Sequence, residues 1–125
     1  MPVVDFEKMS DEILAIDEVM RYVGFTDLKG SIVYNKMKEG KTSLKNQEQE
    51  RKFSTDLSTI KKMQGIFDES LGKVTLIHMI REKIHQLIYY VNGLMVYVTC
   101  ERNVDDLHLL QIEKNIKSII QKHIP

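Results

Sequence analysis

The sequence predicts an α+β fold in which a five-stranded antiparallel sheet, a hairpin plus a three-stranded meander, carries a long central helix and helices at both ends. Three observations lead there. Val74 to Ile80, Ile84 to Val91 and Leu94 to Cys100 are rich in β-branched and aromatic residues and are separated by very short connections. Asn46 to about Ser70 contains no proline, and Phe53, Leu57, Ile60, Met63, Ile66 and Phe67 recur there at spacings of three and four. In the last strand Leu94, Val96 and Val98 alternate with Met95 and Tyr97, so both faces of the sheet are apolar and both need cover.

At 125 residues the chain has the size of one ordinary domain, and residues 1–125 are read as one folding unit. Its 42% hydrophobic and 29% charged residues lie near the globular average. Lys and Arg total 18, as do Asp and Glu, so no global field gathers nucleic acid. A single cysteine, Cys100, allows neither an internal disulfide nor a cysteine-based metal cluster. Residues 1–10 lack the basic start and apolar run of a signal peptide, and no apolar stretch approaches membrane-spanning length. A cytoplasmic protein without cofactors is the expectation.

Taken in order, Ser10 with Asp11 and Glu12 behind it predicts the cap of a first helix, which carries Ile13, Leu14 and Ile16 and stops near Met20. Arg21 to Thr26 and Ser31 to Met37 then form a hairpin about a turn at Asp27, Leu28, Lys29 and Gly30. Glu39 to Lys45 has the composition of an exposed loop. Gly72 follows the central helix, where a left-handed cap suits glycine. In the meander Arg81, Glu82 and Lys83 make the first connection, and Asn92-Gly93 is a favoured type I′ pair for the second. Asn103 is the expected cap of the last helix, with Asp105 and Asp106 in its first turn, an apolar stripe through Leu109, Ile112, Ile116 and Ile119 or Ile120, and an end near Pro125.

This order, and above all Lys73 to Thr99 with its strand, basic turn, strand, turn, strand, resembles the Roadblock/LC7 group of the profilin-like superfamily. The resemblance covers roughly Tyr22 to Asn103 and includes the first hairpin with Gly24 and Gly30. The chain departs from the pattern in having few small residues in its central helix and in carrying helices at both ends, which is more similar to the longer bacterial and archaeal versions. What the resemblance implies is a homodimeric scaffold or regulator of small GTPases.

Chemistry is harder to find. No phosphate loop, dinucleotide fingerprint or nucleophile elbow is present, and no acid, base and nucleophile set assembles, so an enzyme is not expected. His78 and His85 can face each other across a hairpin, but zinc needs two further ligands, and cross-strand polar packing is the simpler reading. Cys100 reads as a small buried hydrophobe, and His108 and His123 as surface residues. Asp105 and Asp106 suit the positive end of a helix without further function. Tyr89 and Tyr90 fall on opposite faces of their strand, and the scattered methionines read mainly as core.

The leading functional expectation is therefore a non-enzymatic homodimer. Ile60, Met63, Ile66 and Phe67 on the central helix, with Leu76 and His78 on the edge strand, would pair with their copies and present a surface to a protein partner. The alternative is a PAS-like sensor holding a small apolar ligand in an enclosed pocket between sheet and central helix.

Overall fold

The computed structural model describes residues 3–124. Its elements are α1 (Phe6–Leu14), β1 (Met20–Asp27), β2 (Ile32–Met37), α2 (Gln47–Gln64), a 3-10 turn (Gly65–Phe67), α3 (Asp68–Leu71), β3 (Leu76–Ile80), β4 (Ile84–Val91), β5 (Leu94–Glu101) and α4 (Asp106–His123). The five strands form one antiparallel sheet in the order β2-β1-β5-β4-β3. The hairpin and the meander are joined where β1 pairs with β5, from Met20 opposite Cys100 to Asp27 opposite Leu94.

Period-two alternation sorts the strand side chains onto two faces. On one, Val23, Phe25, Leu87, Val96, Val98 and Cys100 pack against Met9 and Ile13 of α1 and Leu109, Ile112, Ile116 and Ile120 of α4. On the other, Tyr22, Ile88, Met95 and Tyr97 meet Leu57 of α2, with Phe53, Ile60, Ile77 and Met79 at the margin. Tyr89 belongs to the first cluster and gives its O–H to the Glu113 carbonyl, while Tyr90 lies on the second face and gives its O–H to the Leu57 carbonyl.

Glycine meets a local need at several positions, of which two shape the sheet. A Cβ on Gly24 would meet the Tyr22 hydroxyl oxygen at 2.8 Å, so Gly24 lets the Tyr22 ring lie across β1. Asn92 and Gly93 turn β4 into β5 with φ of 41° and 83°, the left-handed pair that a type I′ hairpin needs.

The expected boundaries move in four places. The first helix is capped by Asp5, whose carboxylate accepts from the Lys8 N–H, and Ser10 is a buried residue in its middle; Met20 belongs to β1. The central helix tightens into 3-10 geometry at Gly65, and a short α3 completes it before Gly72 turns the chain at φ 83°. The last helix is capped by Asp105 rather than Asn103. Its end near Pro125 lies outside the described residues, the helix closing at His123 with Ile124 as its cap.

α4 is fastened at its two ends to α1 and to the segment that follows it. His123 and Lys122 reach the Glu12 carboxylate at 2.5 and 2.7 Å, and His108 meets Asp17 at 2.7 Å. Neither histidine is thus the plain surface residue that the sequence suggests. Burial pushes the Cys100 thiol up to about 12, leaving it unreactive at neutral pH. Among the described residues no helix is long and apolar enough to cross a membrane.

Candidate functional site

The outer side of α2 and the turn after it carry apolar residues that no other described residue covers. Phe53, Leu57 and Ile60 form the inward row, and the continuing three-residue step puts Met63 on the solvent side, 64% exposed. The tightening at Gly65 then presents Ile66, 78% exposed, together with Phe67 and Leu71. Large apolar side chains this exposed and this close together mark a recognition surface more often than a solvated one.

The sheet adds an open edge on the same half of the molecule, and its two edges differ. Beside β2, Lys36 pairs with Asp11, and Lys38 donates to the Leu14 and Asp17 carbonyls, so two lysines and the end of α1 shield that edge. β3 reads Leu76-Ile77-His78-Met79-Ile80, with no lysine, acid or proline and with every residue at least partly exposed. It offers backbone donors and acceptors to another strand.

The six residues expected at an interface are thus divided. Met63, Ile66 and Phe67 share the uncovered surface. Ile60 is half-buried against the sheet. Leu76 and His78 sit on the open edge but point to the α4 side, where Leu76 joins the larger core and the His78 Nε2 lies 2.9 Å from the His85 Nδ1. His85 in turn reaches the Arg102 carbonyl at 3.2 Å, and Glu113 stands 3.7 Å from the His78 Nδ1. Burial, and then the neighbouring His78, lower the pKa of His85 and favour the neutral ring. Among the described residues no group of three His, Cys, Asp or Glu is placed to hold a metal ion.

A cleft of about 690 Å³ opens where the start of α2 approaches the β3–β4 turn. Its floor is aromatic, with Phe53 and Tyr97 ring centroids 4.7 Å apart and Tyr22 5.7 Å from Tyr97. Lys45 extends over it, its ammonium 4.1 Å from the Phe53 centroid and 4.6 Å from that of Tyr97, and 3.5 Å from Glu50. The loop before α2 is therefore anchored by Lys45, whereas Leu44, its one large apolar residue, is exposed. The space is an open cleft at the end of the α2 layer, not the enclosed chamber between helix and sheet that a PAS-like sensor would need. Nothing local in the sequence marks it, because Lys45, Phe53, Gln86 and Tyr97 come from a loop, a helix and two strands.

No family model matches the sequence, and no curated protein matches it in sequence. Solved structures do. The chain superposes on the gliding protein MglB of Thermus thermophilus with a TM-score of 0.73 at 10% identity, over 94% of this chain and 87% of that one. A Roadblock/LC7 domain from Streptomyces avermitilis gives 0.69 at 7% identity, covering 94% and 93%. MglB of Myxococcus xanthus gives 0.68 at 11% identity, covering 94% and 95%.

Proposed function

We propose that this chain, whose fold is that of the Roadblock/LC7 domains, is a non-enzymatic cytoplasmic module of one domain that self-associates and presents a composite surface to a protein partner. The observation that carries the reading is the apolar surface of Met63, Ile66, Phe67 and Leu71 beside the unguarded edge of β3. Burying side chains of this size stabilises association by about 1.5–3 kcal/mol each when the burial is complete. The charges of α2 suit an antiparallel pairing of two copies. Glu48 is exposed in its first turn and Lys62 in its last, so a twofold axis near mid-helix sets acid against base. Strand pairing of β3 with its copy, through Leu76 to Ile80, would satisfy the free backbone groups at the same time.

A structural neighbour described as MglB with a tetrameric arrangement, at 8% identity and a TM-score of 0.72, supports higher assembly on this fold. The family resemblance adds a small GTPase as the partner class, with the dimer acting as scaffold or regulator rather than as catalyst.

The test is solution mass by light scattering across a wide concentration range, with the full chain and with Met63→Glu and Ile66→Glu. A dimer that both substitutions convert to a folded monomer supports the reading. A monomer at high concentration overturns it. Titration of a purified small GTPase from the source cell, loaded with GDP or with a GTP analogue, then tests the partner class, and equal failure in both states removes it.

A further inference from the structure

The cleft beside Lys45 contains a hydrogen-bond donor with nowhere to go. The Tyr97 side chain is buried, with 3% of its surface exposed. Its hydroxyl oxygen accepts from the Gln86 Nε2 at 2.6 Å and from the Lys45 ammonium at 3.3 Å. The Gln86 amide cannot be turned round to reverse this. Its oxygen takes the Arg81 Nε–H, which can only donate, so its nitrogen must face the tyrosine. Both contacts therefore use the lone pairs of Tyr97, and its own proton meets no acceptor among the described residues. A buried donor left unspent keeps its desolvation penalty, and such groups are rare in folded proteins.

The surroundings say what would meet it. The cleft is lined by Arg21, Lys45, Arg81 and Lys83 against two carboxylates, Glu50 and Glu82. Arg21 and Glu50 already have partners inside the protein, Glu101 for the first and Lys45 for the second, whereas Arg81 is exposed and its contact to Gln86 uses the Nε alone of its guanidinium nitrogens among the described residues. Below the charges lies the aromatic floor of Tyr22, Phe53 and Tyr97.

We propose that this cleft is a binding site for a small amphiphilic carboxylate, whose anionic oxygen accepts the Tyr97 proton beside Lys45 and Arg81 while its apolar body lies on Phe53 and Tyr22. The assignment stands independently of self-association. A bound ligand would tie the loop before α2 to the β3–β4 turn, next to the edge offered to a second copy. Glu50 opposes the incoming charge and limits affinity, so neutralising it strengthens binding.

Titration of the full chain, followed by the backbone amide signals of Lys45, Phe53, Arg81 and Tyr97, tests this with three probes: phenylacetate, the neutral 2-phenylethanol and inorganic phosphate. Phenylacetate is expected to saturate, with phenylethanol and phosphate each at least about tenfold weaker, since one charge-assisted hydrogen bond is sufficient for a factor of ten. Tyr97→Phe removes the proton and little else of the shape, and is expected to weaken phenylacetate by about tenfold while leaving phenylethanol unchanged. Glu50→Gln is expected to tighten phenylacetate. If Tyr97→Phe does not fold, Lys45→Gln serves in its place with the same expectation. Equal binding of phenylacetate and phenylethanol, equal binding of phenylacetate and phosphate, no saturable shift at the named amides, or undiminished binding by the folded variant would each overturn the assignment.

Discussion

The two faces of the sheet are finished to different degrees. Among the described residues, the face under α1 and α4 buries sixteen residues in one cluster, and the face under α2 buries five. The first is closed by two helices whose inward rows are buried, with Leu107 and Leu110 of α4 left exposed. The second is covered by a helix that turns one apolar row inward and leaves Met63 and Ile66 outward, with an open cleft at its start. Such a division places most of the monomer's cohesion on one side, and under the proposed self-association the incomplete burial on the other side is what a partner would use.

This contrast can be broken most directly by truncating equivalent residues on the two faces. Leu87→Ala empties space in the larger cluster, where neighbours on three elements cannot all collapse inward, and is expected to destabilise by about 3 kcal/mol in urea unfolding. Leu57→Ala removes the one fully buried side chain of α2 and is expected to cost about 2 kcal/mol, the low end for such a change, because fewer neighbours surround it. A cost for Leu57 equal to or above that of Leu87 would mean that the α2 face is as structural as the other.

A smaller effect of opposite sign sharpens the same contrast. The Ser10 hydroxyl is buried in α1 with no hydrogen-bond partner. Ser10→Ala is expected to raise stability by about 1 kcal/mol, measured as a higher urea midpoint at unchanged slope, since the orphaned polar group is lost and alanine favours the helix. Met63→Ser should change monomer stability by less than about 0.5 kcal/mol, because the side chain is exposed, while the proposed self-association requires it to reduce the dimer fraction in sedimentation.

The clasp between α4 and α1 supplies a modest pH dependence confined to the closed face. Hydrogen bonds from Lys122 and then His123 hold the Glu12 carboxyl below its ordinary 4.5, and the Val19 N–H, followed by His108, holds Asp17 below 3.8. Both groups are depressed in the folded state, so their contribution is complete above those ordinary values and is lost as the pH falls through the folded ones. The urea midpoint should drop between pH 6 and pH 3, and Glu12→Gln should flatten that dependence.

Much of this was legible in the residues, and what was not has physical causes. The meander was readable almost to the residue, because Asn92-Gly93 and the alternation through Val96 and Val98 are signals of short range. The caps were misplaced because Ser10 and Asn103 satisfy the same local pattern as Asp5 and Asp105, and only the tertiary burial of Met9, Ser10 and Ile13 decides between them. Of the expected interface, Met63, Ile66 and Phe67 stand exposed, but Ile60 faces inward, since a row stepping by three drifts round a helix of 3.6 residues per turn. The cleft escaped notice altogether. Its donor and its cation, Tyr97 and Lys45, are 52 residues apart, and no pattern within one element records their meeting.

The seam between β1 and β5 has a consequence for the order in which the molecule is made. It joins residues as distant as Arg21 and Glu101, 80 positions apart, whereas the hairpin and the meander each close over short turns. Closing long loops is entropically slower than closing short ones, so the two halves of the sheet form locally and the central seam last. On a ribosome β1 must wait, with its inner edge unpaired, until β5 has emerged, and that interval leaves it open to pairing with the wrong strand.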